Sequence, residues 1–299
     1  MNFQTFIDTG WADHNDNAPA VAERLAQSLH VVTLPEHVLP FARLTTHVYG
    51  EHLARWEDGV ALLESLRASP AWEGSPAQAG AVNRGVATLR HCSGSTTALD
   101  DLSLEDRITV LATAALAFVG QKATPAAIEA YAQAMALAAA TPLLPGSPAV
   151  RALAAGGNNL AAELSEKSER NAAQIAGMLA AAEGGLKYWK QAGTWLEEER
   201  AEYMLSMCLR KAGDAEAAIE HAARCIAICV AHDAPAFEGF FGHAALAMAR
   251  REAHDIVGFD ESRDAALGCH AHIDPAEQHW CASELSALGI EASAPPTRP

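Results

Sequence analysis

Three groups of side chains in this sequence have the chemistry to bind a metal or carry a reaction. The first is His47-Val-Tyr-Gly-Glu51-His52, which sets His47 and Glu51 one helical turn apart, the separation at which helical zinc motifs seat their ligands. The order is neither HExxH nor its inverse, and the sequence offers no third ligand, so a structural histidine is expected. The second is a cysteine set. Cys225 and Cys229 lie four residues apart on one predicted helix, and Cys208 can face them from the preceding one, a soft donor set in principle. Yet Cys225 falls where packing needs a small residue, and free cysteine is among the most buried residue types. Core thiols without metal are expected. The third group, Cys269-His270-Ala-His272 with His279-Trp-Cys281, sits near the C-terminus and is read the same way.

Nothing else supplies a reaction centre. The acidic runs Asp100-Asp101 and Glu197-Glu198-Glu199 stand at helix starts, where carboxylates complement the helix dipole. Gly156-Gly157-Asn158-Asn159 and Gly184-Gly185 lie inside helical patterns, not in the strand-to-helix loop that a phosphate site requires. No GxSxG elbow occurs. The reading is therefore no catalytic residue, no cofactor and no metal.

Composition narrows the class of protein. Half of the 299 residues are hydrophobic, but aromatics make up 6%, and alanine dominates the apolar share. Alanine is the best helix former and lets helices approach closely, whereas Ile, Thr and Tyr, which favour strands, are scarce. The net charge is −16, from 37 acidic and 21 basic residues; such a chain repels phosphate backbones, which argues against nucleic acid as a partner. Six cysteines without a CxxC pair read as reduced thiols of a cytoplasmic protein. The first residues, Met1 to Trp11, have no basic segment or long apolar run, and no later stretch approaches the ~18 uncharged apolar residues of a membrane span. Neither secretion nor membrane insertion is expected.

The elements that must position these residues are helices. Apolar residues recur at helical spacing, with breaks at short Pro, Gly, Ser and Asp clusters. The pattern predicts helices over 17–30, 36–53, 56–68, 76–92, 104–120, 124–140, 147–165, 168–191, 195–212, 215–231, 236–253, 260–272 and 275–288. Asp214 and Ser103 are placed to cap helix starts, and Pro125, Pro148 and Pro275 sit where a missing N–H costs little. Thirteen helices joined by short turns predict an all-α stack of antiparallel hairpins. A single helical-repeat domain over 1–291 is expected, followed by a disordered Pro-rich tail over 292–299.

One segment carries a family resemblance: Lys211-Ala-Gly-Asp-Ala-Glu-Ala-Ala-Ile-Glu-His-Ala-Ala-Arg-Cys-Ile-Ala-Ile228. Gly213 and Asp214 make a turn, Ala218 and Cys225 fill small positions, and Leu205, Ser206 and Leu209 form a large-small-large pattern on the helix before. Small residues at a crossing let two helices pack closely while their large neighbours fill the gaps. This segment resembles the tetratricopeptide repeat. Similar units run from Ala114, Ala115 and Phe118 to Ala127, Ile128, Tyr131, Ala134, Met135 and Leu137, and over Arg55–Leu66 with Gly59 and Val60. Val60 and Ile128 are 68 residues apart, twice the ~34-residue period. Ile128 and Ile219 are 91 apart, so the unit between them is irregular.

The resemblance implies a right-handed superhelical stack whose first helices line a groove for a protein or peptide. On that face it places Arg200, Tyr203, Met207 and Arg210, a mixture that binding surfaces enrich. Asn158 and Asn159, a polar pair in an apolar helix, join them as candidates, as do Glu238 and His243. Some members clamp a C-terminal carboxylate with Lys and Asn; the matching positions are Ala112, Leu116, Tyr203 and Met207, so that use is not supported. The expected function is a non-catalytic scaffold or adaptor, with a ligand-responsive regulator or an enzyme on a helical-repeat fold as the alternative. Partners are a protein or peptide, with self-assembly through an end of the stack also open.

Overall fold

The computed structural model describes residues 2–140, 142–144 and 146–290. The expected tail at 292–299 lies outside them. The chain is all-α, with no strand among the described residues. Its helices are α1 (Phe3–Gln27), α2 (Val38–His47), α3 (Trp56–Ser65), α4 (Pro76–Cys92), α5 (Leu104–Gly120), α6 (Thr124–Ala140), α7 (Pro148–Glu166), α8 (Ala172–Ala192), α9 (Trp195–Ala212), α10 (Ala215–Ala231), α11 (Ala236–Glu252), α12 (Ile256–His270) and α13 (Ala282–Ala287). A π-turn, Val48–His52, continues α2, and short 3-10 turns occupy Leu29–Val31, Pro35–His37, Leu66–Ala68 and Gln278–Cys281. Within each unit consecutive helices pack on one another, α1 through α6 in the first and α8 through α12 in the second. Two compact units divide between Leu160 and Ala161, within α7, where the sequence suggested one continuous array. Among the described residues no helix is long and apolar enough to cross a membrane.

The hairpin turns share one closing device. Gly94, Lys122, Gly213, Asp233 and His254 each adopt positive φ just after a helix. The next amide then reaches back five residues: Ser95 to Arg90, Ala123 to Phe118, Asp214 to Leu209, Ala234 to Cys229 and Asp255 to Arg250. This left-handed cap satisfies carbonyls that the helix end would leave unpaired. In two cases the next helix starts at once, with Asp214 and Asp255 accepting from the amides of Ala217 and Gly258. Small residues then sit at the crossings: Ala115, Ala127, Ala134, Ala218 and Cys225 are all fully buried.

The first unit has the larger aromatic core, in which Phe6, Phe41, Tyr49, Leu63 and Leu89 pack together. The Tyr49 hydroxyl donates to the Ala22 carbonyl at 3.0 Å, so its burial leaves no polar atom stranded. Helix α1 begins fourteen residues before the predicted start at 17, at Phe3. It bends at Asn17, whose side chain accepts from the Ala20 amide and so starts a second helical segment. The earlier turns are held by Phe3, Phe6, Ile7 and Trp11 against the core.

Candidate functional site

A groove of about 500 Å³ opens in the first unit between α2, the π-turn, α4, α5 and α7. Close helix approach shapes it. A side chain at Gly156 would press on the Ala112 carbonyl oxygen at 3.0 Å, so glycine lets α7 lie against α5. Thr46, Thr88, Thr109 and Thr113 line the groove, and each hydroxyl donates to the carbonyl four residues earlier. Their protons are therefore committed to their own helices. Three arginines, Arg43, Arg84 and Arg151, and Asn159 also line the groove.

The arginines differ in their surroundings. Arg84 is matched by Asp106 at 2.8 Å. Arg43 lies over the Trp11 ring at 5.3 Å and has no ion-pair partner among the described residues. Although the residue is exposed, partial desolvation of its guanidinium by the groove walls, and then the charge of Arg151, push its pKa down. Arg43 thus brings a positive charge without an ion-pair partner among the described residues into a groove of a chain whose net charge is −16.

At the edge of the same groove the fold gathers histidines. His47 and Glu51 line it, with the His47 Nδ1 to Glu51 Oε2 distance at 2.9 Å. His52 Nε2 lies 3.1 Å from His47 Nε2. His14, from α1, completes the group, its ring 4.8 Å from that of His47 and 5.0 Å from that of His52. All three are half-buried. Sequence spacing foresaw His47 with Glu51 but not His14, which lies on the part of α1 that was not recognised as helix.

The residues predicted for a groove are placed as follows. Asn159 is exposed and lines the first unit's groove, while Asn158 is half-buried and does not. In the second unit Arg200 forms a two-pronged ion pair with Glu238, which is buried. The Tyr203 hydroxyl donates to Glu284 Oε1 at 3.2 Å, and its ring meets Phe241 edge-on at 5.8 Å. Met207 packs into the apolar clusters around Phe240 and Ala222. Arg210 pairs with Glu252 at 3.2 Å, and His243 is half-buried, its pKa lowered by burial. The chain's own C-terminal segment supplies several of these contacts. Cys281, Leu285 and Leu288 join the α11 cluster, and the Ala287 carbonyl accepts from Arg251. Among the second-unit positions, side chains assigned to a partner are thus engaged inside the unit.

The cysteines behave as buried thiols. Cys225 donates to Glu199 Oε1 at 2.8 Å, and Cys229 lies in the same cluster. Cys208 faces the Ala161 carbonyl instead, so the imagined Cys208, Cys225 and Cys229 trio is not assembled. Burial pushes the Cys208 thiol up to about 12; Cys225 is pushed up by its hydrogen bond with Cys229 and then by burial. Thiols held protonated in this way are poor ligands and poor nucleophiles. A tie missed in the sequence is Glu202, buried, which accepts from Lys190 of α8 and meets His221 of α10. Burial alone would raise its pKa, but these two partners outweigh it and hold the carboxyl below its usual range.

The chain is similar to the crystal structure of BtubC (BKLC) from P. vanneervenii, at 14% identity and a TM-score of 0.46, over 100% of this chain and 97% of that one. No protein-family model matches the chain, and no curated relative matches it by sequence.

Proposed function

We propose that this protein is a non-catalytic helical-repeat scaffold, of the tetratricopeptide kind, that binds an acidic peptide segment of a partner in the first unit's groove. The observation that carries the reading is Arg43, which lines the groove of an acidic chain, lies over Trp11 and has no ion-pair partner among the described residues. An acidic side chain there would meet the unmatched charge of Arg43, and Arg favours carboxylates because its fork matches their geometry. Asn159 adds amide donors and acceptors for a peptide backbone, and Leu116 and Trp11 add apolar surface. The positions in the second unit that the repeat pattern suggested are left to internal support.

The test is fluorescence anisotropy with labelled peptide pools that differ in charge. Acid-rich peptides should bind and weaken as salt is raised, because charge pairing at a partly open groove is screened. Equal binding of basic pools would refute the reading. A second reading, a regulator that responds to a small anionic ligand, is favoured by the groove's volume, which falls within the ~300–1,000 Å³ of small-molecule sites. Thermal-shift screening with small dicarboxylates and phosphates separates the two.

A further inference from the structure

We propose that His14, His47 and His52 form a binding site for one transition-metal ion of the zinc class. One nitrogen from each ring lies within 4.8 Å of a nitrogen from each of the others. At metal–nitrogen distances of ~2.0–2.1 Å, tetrahedral ligands stand about 3.4 Å apart. The His47 and His52 Nε2 atoms, at 3.1 Å, are already close to that spacing, and a side-chain adjustment of the His14 ring completes it.

Proton placement favours the same outcome for two of the three rings, while His52, whose Nε2–H donates to the His47 Nε2 lone pair, gives up or moves that proton when the ion enters. A carbonyl oxygen can only accept, so the 2.6 Å contact between His14 Nδ1 and the Trp11 carbonyl puts the His14 proton on Nδ1 and leaves Nε2 with a lone pair. The carboxylate of Glu51 does the same for His47 through its Nδ1. Carboxylate and carbonyl partners of this kind orient the imidazoles of metal sites and raise their basicity. Neutral imidazole is a donor for zinc, copper, nickel and iron. Three protein ligands leave one position of a tetrahedral ion for water or an incoming donor.

The backbone is arranged for this gathering. In an α-helix, residues 47 and 52 would point about 140° apart at ~100° per residue. The π-turn Val48–His52 closes a wider ring and brings residues five apart onto one side, which is how single π-turns recur at functional sites. Such a turn frees carbonyls, and Gln121 serves them: its side-chain amide donates to Glu51 O at 2.7 Å and Gly50 O at 3.3 Å. Glycine at 120 leaves room for the turn, since a Cβ there would lie 2.1 Å from the Glu51 oxygen. Helix α1 contributes the third ring from the segment held by Trp11, whose indole stands 5.0 Å from the His47 ring.

The experiment is titration of the tag-free, chelator-treated full chain with ZnCl2 alone, read by calorimetry and by elemental analysis after dialysis. One ion per chain is expected. His14→Ala and His52→Gln should each abolish stoichiometric binding while the far-ultraviolet spectrum stays helical. Glu51→Gln, a change in a positioning residue, should weaken binding ~10–100-fold. The paired variant Cys225→Ser with Cys229→Ser should bind as the parent does, and Co2+ should give a visible spectrum without a thiolate charge-transfer band. Weak, unsaturable uptake by the parent overturns the proposal. So does zinc kept by the folded His14→Ala and His52→Gln variants, or zinc lost with the cysteines. No peptide enters the assay, so failure here leaves the groove reading standing, and the reverse holds.

Discussion

Raising the pH should weaken the second unit through one carboxyl, that of Glu199. Its side chain is 1% exposed, Oε1 receives the Cys225 thiol, and Oε2 has no partner among the described residues. Burial is the leading cause that lifts its pKa from the ordinary 4.5 to about 7; the thiol of Cys225 works against the rise and the charge of Glu238 adds to it. The folded state therefore holds a proton between pH 4.5 and about 7 that the unfolded chain has released. Stability falls as pH rises through this window, and the loss is complete above the folded value. At ~1.4 kcal/mol per pH unit the full effect is about 3 kcal/mol. Glu199→Gln keeps the volume and the acceptor for Cys225 and removes the ionisation. Urea melts of both proteins across the window should coincide at its acid end and diverge above it, with the glutamine variant more stable by about 3 kcal/mol. A gap that stays constant with pH, or a parent that gains on the variant as pH rises, would refute the reasoning.

Three further outcomes follow from packing. Ala218, fully buried at the crossing of α9 and α10, has its carbonyl bonded by Ser206; Ala218→Leu should cost about 1–3 kcal/mol in denaturant melts, and a parent-like melt would break the repeat register. Gly120→Ala must displace the Glu51 backbone, so a loss of about 1–3 kcal/mol is expected for the first unit, and an unchanged melting temperature would deny the close approach of α5 to the π-turn. The sequence placed Tyr203 and Arg210 on a binding face, where replacing both by Ala would leave the fold intact. With Tyr203 bound to Glu284 and Arg210 to Glu252, the double variant should instead be destabilised by about 2–4 kcal/mol, and a parent-like melt with impaired partner binding would return both to an open surface.

Helix periodicity was legible where apolar spacing and breakers agreed. The predicted 76–92, 104–120, 124–140, 195–212 and 215–231 coincide with α4, α5, α6, α9 and α10. The Gly213-Asp214 turn was readable because glycine marks left-handed backbone. Lys122, Asp233 and His254 adopt the same conformation without that mark, so the shared closing device was hidden. The first turns of α1 were missed although Phe3, Phe6, Ile7, Gly10, Trp11 and His14 keep helical spacing, because Asn, Asp and Thr between them read as loop. That omission hid His14, and with it the histidine cluster. The predicted helix at 275–288 is a 3-10 turn followed by the short α13. Groove positions assigned from one repeat face could not anticipate that Glu284 and its neighbours would engage that face. Arg43 and Arg151 gave no local signal, since they come from α2 and α7, far apart in sequence, and meet only as lining of the groove.

The central claim is that the first unit's groove captures an acidic segment through Arg43. The most direct measurement is anisotropy of an acid-rich peptide against the parent, Arg43→Glu and Arg200→Glu, with melting temperature recorded for each. Arg43 is exposed and has no ion-pair partner among the described residues, so its reversal should leave the melt unchanged and weaken binding at least ~10-fold, about 1.4 kcal/mol. Arg200→Glu should lower the melting temperature through loss of its Glu238 pair and leave the affinity of the remaining folded protein close to the parent's. Equal affinity for the parent and Arg43→Glu, with binding lost in a folded Arg200→Glu protein, would contradict the account and move the site to the second unit.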